Sequence, residues 1–173
     1  MVAVGVSGCQ TVQLESRLAS SGLGQVGNVY IQGPASTTIT EQTFEETLQN
    51  NLTQQGYKIT NSKKAARYVM VYDVEHIITP VGGSYVLPSH QTTTGYIGQD
   101  RVSLRTRENQ VHSWSIDIPE TIVRAQFKNK SNKILWEGGM LIRQEAFAEK
   151  SKLLADRFMS AFGKEVNYTK SLN

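Results

Sequence analysis

The stretch Tyr68–Ile78 (Y-V-M-V-Y-D-V-E-H-I-I) constrains the fold more than any other part of this 173-residue chain. Aromatic and β-branched residues dominate it, the signature of a strand, and successive side chains of a strand point to opposite faces. Tyr68, Met70, Tyr72, Val74 and His76 share one face, and Val69, Val71, Asp73 and Glu75 share the other. The first face stays apolar for longer and is expected on the core. The second begins apolar and ends in carboxylates, so the strand is expected to run out toward solvent.

Two amphipathic helices accompany it. Phe44, Leu48 and Leu52 recur every four residues and predict a helix over Glu41–Gln55. Thr40 is the expected N-cap, with Glu41 in the first turn, Ile39 stapled to Phe44, and Gly56 as the left-handed stop. Phe147, Leu154, Phe158 and Phe162 predict a second helix over Ala146–Phe162, closed by Gly163. Further strands are expected at Asn28–Gln32 and Tyr57–Thr60. Arg101–Arg107 and His112–Ile118 read as a hairpin turning at Glu108-Asn109-Gln110. Glu120–Lys128 and Lys133–Arg143 read as another, turning at Asn129–Asn132. Gly138-Gly139 inside the last of these suggests a bulge, and Trp136 is expected in the core. The expected fold is α+β: an antiparallel-rich sheet of about five to seven strands with two amphipathic helices packed on one face.

The remaining segments are more polar. Thr11–Gly27 is rich in Ser, Gly and Gln and reads as part of a linker over residues 9–27. One domain is expected over residues 28–165, and residues 166–173 read as a polar tail. Thr79–Gln99 is broken by Pro80, Gly82, Gly83, Pro88, Gly95 and Gly98; it reads as a long excursion, either a solvated loop or a functional one. The chain has no apolar run of about 18 residues and so no spanning helix. Its net charge of +3 and pI of about 9.0 are mild. They lack the clustered charge expected of a nucleic-acid binder, so no nucleic-acid partner is expected.

Val6-Ser7-Gly8-Cys9 resembles a bacterial lipobox, and Cys9 is the only cysteine. The resemblance implies lipidation of Cys9 and a mature chain that begins there, with residues 1–8 the remnant of a signal. No Lys or Arg precedes Arg17, so the basic part of a secretory signal is missing and the sequence reads as trimmed or started too far downstream. Gln10, where inner-membrane lipoproteins commonly carry Asp, implies the periplasmic face of the outer membrane. The competing reading is a cytoplasmic protein with an authentic Met1 and a buried Cys9 thiol. A lone cysteine forms no internal disulfide.

The order of elements resembles a group of small, mostly uncharacterised bacterial lipoproteins with a periplasmic α/β domain. The residues that carry the likeness are Phe44–Leu52, then Gln55-Gly56-Tyr57-Lys58-Ile59, Ala65–Asp73 and Ile134-Leu135-Trp136-Glu137-Gly138. Val29–Ile78 is also similar to part of the conjugal-transfer surface-exclusion lipoproteins. Those carry a long apolar Gly/Ala-rich segment that this chain lacks, so their function is not carried over.

No catalytic constellation is legible. His76, His90 and His112 have no metal-ligand spacing, and no cofactor is expected. Gly82-Gly83-Ser84 is not followed by a P-loop lysine. The expected function is therefore that of a lipid-anchored periplasmic binding or envelope-assembly lipoprotein without catalytic activity. Its expected partners are membrane lipid, through acylated Cys9, and an envelope protein or cell-wall component. The candidate binding surface is Tyr85 and Tyr96 with the arginine stripe Arg101, Arg105 and Arg107. A solvated strand edge kept soluble by charge explains the same arginines. The enzymatic alternative is a periplasmic hydrolase using Asp73, Glu75 or His76; a solvated strand end is the favoured explanation of the same residues.

Overall fold

The computed structural model describes residues 11–35, 37–97 and 100–172, and side chains outside 87–110. The elements are β1 (Thr11–Leu18), β2 (Asn28–Gln32), α1 (Ile39–Gln54), β3 (Lys58–Ile59), β4 (Tyr68–Ile97), β5 (Asp100–Asn129), β6 (Ile134–Arg143), α2 (Gln144–Ser160) and β7 (Val166–Ser171). The fold is α+β, with two helices and a seven-stranded mixed, mostly antiparallel sheet in the order β3-β2-β4-β5-β6-β1-β7. β1 pairs antiparallel with β6 and β7, and β5 with β6; β2 runs parallel to both β3 and β4. The chain divides into two compact units. One holds the residues up to Ile78 together with those from Pro119 onward, and the other is Thr79–Ile118.

In the larger unit the core lies between the sheet and the helices. The even-numbered residues Tyr68, Met70 and Tyr72 of β4 are buried, as are Thr121, Val123, Ala125 and Phe127 of β5. Phe44 of α1 packs on Tyr72 and on Phe147 and Phe158 of α2. The helices start and stop for local reasons. Thr38, not Thr40, caps α1: its hydroxyl accepts from the Glu41 N–H at 3.3 Å, while the Glu41 carboxylate accepts from the Thr38 N–H at 2.8 Å. This reciprocal box needs Thr and Glu three residues apart, which Thr40 does not offer. The expected staple does not form, because Ile39 is 82% exposed.

Three expected loops are strands. Thr11–Leu18, read as linker, is β1, seated between β6 and β7 with Val12, Leu14 and Ser16 inward. Ser16 is tolerated there because its hydroxyl donates to the Lys164 carbonyl at 2.9 Å, so the buried oxygen is satisfied. The polar tail contributes β7, paired along β1 from Thr11↔Ser171 to Ser16↔Val166. The Thr79–Gln99 excursion continues β4 as far as Ile97, and β5 passes without a break through Glu108–Gln110 and Pro119. The expected Arg101–Ile118 hairpin is thus replaced by pairing of β4 with β5. Cross-strand hydrogen bonds outweigh the local turn preferences of the glycines and of Glu-Asn-Gln.

Gly138-Gly139 is not a bulge. The β5–β6 register runs regularly through Ala125↔Gly138 and Arg124↔Gly139, and shifts only at Phe127/Lys128. Gly138 instead makes room for the Trp136 ring, which folds back over it.

Candidate functional site

The unit Thr79–Ile118 is a ribbon of two strands, residues 79–97 of β4 and 100–118 of β5. Its contacts give the pairing. Gly83 lies under the Trp114 ring, and Tyr85 stacks on His112 with centroids 5.5 Å apart and planes 16° from parallel. Moving forward along one strand moves backward along the other, so the two run antiparallel. A Cβ on Gly82 would sit 2.8 Å from the Trp114 carbonyl oxygen, and one on Gly83 would sit 3.2 Å from the Trp114 ring. Gly83 therefore makes room for a cross-strand tryptophan, an aromatic covering a glycine, while Gly82 allows the partner backbone to approach closely.

By alternation, Val81, Gly83 and Tyr85 of β4 share a face with His112, Trp114 and Ile116 of β5. That face is apolar and open: Val81 is 41% exposed, Trp114 47%, Tyr85 51% and Ile116 59%. An isolated two-stranded ribbon has no second layer in which to bury such residues. Fully burying an aliphatic or aromatic side chain is worth ~2 kcal/mol, so four half-exposed ones leave about 4 kcal/mol unrealised. The β4 edge is also uncharged, since no Asp, Glu, Lys or Arg occurs between Glu75 and Asp100. Charges are one common way of keeping an edge unpaired. Pro80 and Pro88 lack an N–H and in a paired strand must turn their nitrogens to the outer edge. They interrupt that edge's donors, which leaves the apolar face as the larger contact surface.

Of the residues singled out from sequence, Tyr85 lies on this face. Tyr96 falls in β4, and Arg101, Arg105 and Arg107 fall in β5; their side chains lie outside the described residues, as does Cys9. The sequence missed Val81, Trp114 and Ile116 as a surface. Their alternation is visible, but alternation cannot show whether a covering layer exists.

The structure does not bring Asp73, Glu75 and His76 together. Asp73 and Glu75 lie on the face of β4 away from the core, and Arg124 Nη1 donates to Glu75 Oε2 at 2.8 Å. His76 points the other way. Its Nδ1 is 2.9 Å from the hydroxyl of the fully buried Thr121, and its Nε2 is 3.6 Å from the carboxylate of Glu41. These contacts tie β4 to β5 and to the start of α1. Tyr72 O–H donates to Glu45 Oε2 at 2.6 Å, and burial, then this hydrogen bond, pushes its phenol well above the ordinary range. Burial and the neighbouring Tyr68 push Tyr57 in the same direction. Among the described residues no group of three or more His, Cys, Asp or Glu could hold a metal ion, and no helix is long and apolar enough to cross a membrane.

No protein-family model matches the chain, and no curated protein matches it. Among solved structures, the chain is similar to the PelC dodecamer from Paraburkholderia phytofirmans in two crystal forms. Identity is 15% and the TM-score 0.46 in both; the match covers 90% of this chain and 99% of that one in the first form, and 88% and 98% in the second. It is also similar to a PDZ domain protein from Parabacteroides distasonis, at 11% identity and a TM-score of 0.42, over 92% of this chain and 38% of that one.

Proposed function

We propose that this chain is a lipid-anchored periplasmic binding or envelope-assembly lipoprotein without catalytic activity. Acylated Cys9 holds it at the periplasmic face of the outer membrane, and its ribbon contacts an envelope protein or cell-wall component. One observation carries the binding reading: a two-stranded ribbon presents Val81, Tyr85, Trp114 and Ile116 on one face with about half of each exposed. Large aromatic side chains on an open strand face are the residue types that dominate binding energy at interfaces. The anchor reading is supported by Val6-Ser7-Gly8-Cys9. The larger unit is taken as an antiparallel-rich sheet with both helices on one face.

Two measurements test this. The first is the intact mass of the chain expressed in a bacterial host from its own upstream DNA. A chain that begins at Cys9 and carries a diacylglycerol supports the anchor, and an unmodified chain that retains Met1 rejects it. The second is photo-crosslinking in that host from a reactive residue placed at Trp114 or at Ile116, with Lys152 on α2 as the control. Adducts to one envelope component from the ribbon alone support binding there. Equal labelling from all three positions, or from none, rejects it.

A further inference from the structure

A second surface lies within the larger unit and was invisible as a cluster in the sequence. The turn leading into β4 and the turn between β5 and β6 meet because β4 and β5 are neighbours in the sheet. Between them lies a cleft of about 630 Å³ that collects Lys63, Lys64 and Arg67 from the first turn and Lys128 and Lys130 from the second. Both turns are fixed. Arg67 N–H donates to the Asn28 carbonyl at 2.9 Å, and Ala65 and Ala66 N–H donate to the Ser62 carbonyl. Asn129 Oδ1 accepts from the Lys133 N–H at 3.0 Å, and Asn132 takes a positive φ of 59°.

The charge in this cleft is of one sign. The chain has no Asp or Glu between Glu46 and Asp73, or between Glu120 and Glu137. Among the described residues, no carboxylate lies within ion-pair distance of the five cations. Lys63 donates instead to the neutral Gln32 Oε1 at 2.9 Å. The contrast with another concavity is direct. That groove, of about 560 Å³ along β1 and β6, sets Glu15 and Glu137 against Arg17 and Arg124 and so balances its charge. Five like charges in one cleft repel each other, and a chain with 18 basic and 15 acidic residues has the acids to neutralise them. Among the described residues no acid lines the cleft. Half-buried Val69 and Val71 line the cleft between the cations, and Asn129 and Asn132 add amide donors.

We propose that this cleft binds a ligand carrying clustered phosphate groups, either the headgroups of anionic phospholipids or a free polyphosphorylated compound. Lysine acts toward phosphate as a point charge, arginine as a planar fork, and amide N–H groups complete the contacts to non-bridging oxygens. The inference does not depend on the lipidation of Cys9.

The experiment uses the full chain with Cys9→Ala, so that no acyl chain contributes. Inorganic tripolyphosphate is titrated in calorimetrically. Vesicles of phosphatidylglycerol and phosphatidylcholine are tested by sedimentation. The variant Lys64→Gln/Lys130→Gln is compared with Lys152→Gln/Lys170→Gln, which removes the same charge from exposed positions elsewhere. Saturable binding that weakens about tenfold in the first variant and stays unchanged in the second supports the site. If both probes show this discrimination, headgroups are the ligand; if tripolyphosphate alone shows it, the ligand is free. Binding of neither probe, or equal weakening in the two variants, overturns the proposal. Acetylation of the Cys9→Ala chain, its lysines unchanged, gives a reading that needs no lysine substitution. Tripolyphosphate should protect Lys64 and Lys130 and leave Lys152 and Lys170 reactive, and uniform protection would count against a site.

Discussion

Gly138→Ala and Gly139→Ala differ by one position along β6 and should move stability in opposite directions. Gly138 is on the core face, two residues after Trp136. A Cβ there would sit 2.5 Å from Trp136 Cη2, 2.6 Å from Cζ2 and 3.2 Å from Phe158 Cζ. Carbon atoms pack at about 3.5–4.0 Å, so the indole would have to withdraw by about an ångström. It has nowhere to go. Trp136 is fully buried, its Nε1 donates to the Ala161 carbonyl at 3.1 Å, and its ring packs edge-on against Phe158 and Phe162. Overpacking of this kind costs about 1–3 kcal/mol, and breaking the indole hydrogen bond adds about 1 kcal/mol. The sum is about 3 kcal/mol, or about 10 °C in Tm for a domain of this size. Gly139 faces the other way. Its Cβ would meet only the Glu15 side chain at 3.7 Å, an ordinary contact, and its φ is not positive. Replacing that glycine should stabilise the protein by about 0.4–1 kcal/mol through the unfolded state. Thermal unfolding followed by circular dichroism compares the two. Equal melting temperatures, or a more damaging change at Gly139, would refute the view that Gly138 exists to admit the indole, and would revive a bulge.

Three further outcomes follow from the same geometry. Thr38→Ala should cost about 1 kcal/mol through loss of the α1 cap, whereas Thr40→Ala should be nearly neutral; urea midpoints separate the two, and the reverse order would mean the helix begins later. Tyr72→Phe should destabilise by about 1–2 kcal/mol near neutral pH, because Glu45 loses its donor. The folded-state phenol of Tyr72 is raised above its unfolded value, so its contribution is fully present below about pH 10 and is lost as pH rises beyond that. Stability measured across that range should therefore fall more steeply in the parent than in Tyr72→Phe, and parallel curves would refute the coupling.

Where a segment's burial is announced by its own side chains, the sequence was sufficient. The inward faces of Tyr68–Tyr72 and Thr121–Phe127, the Phe44–Leu52 stripe and the buried Trp136 were all readable as alternation or as helical period. Thr11–Leu18 was not, because Ser16 holds an inward position and Glu15 and Arg17 surround it. Its strand character comes from pairing with β6 and β7, far away in sequence, and the Lys164 carbonyl satisfies the Ser16 hydroxyl. The Thr38 cap was readable, since Thr38 and Glu41 have the spacing of the box; Thr40 drew attention only by standing next to an acidic residue. The cation cleft illustrates the other limit. Lys63, Lys64 and Arg67 are separated from Lys128 and Lys130 by some sixty residues, and only the pairing of β4 with β5 brings them together. A mild net charge then conceals a strong local one.

The ribbon can be argued from lengths. α2 is kinked at Lys150, so its 17 residues, rising about 1.5 Å each, span at most about 25 Å, the length of about eight residues of a strand that rises about 3.3 Å per residue. The inward faces at Tyr68–Tyr72 and Thr121–Phe127 fit within that span. β4 and β5 each continue to 30 residues. Nothing in β-propensity stops a strand where its burial ends, and Val81, Tyr85, Trp114 and Ile116 stay about half exposed. A chain with no use for the extra length would be expected to turn early and to place polar side chains on both faces. This one spaces Val81, Tyr85, Trp114 and Ile116 on a single face and leaves out the Cβ of Gly83 beneath the tryptophan ring. The regularity of that face, maintained while about half of each side chain stays exposed, is the physical argument behind the proposal that another molecule covers it.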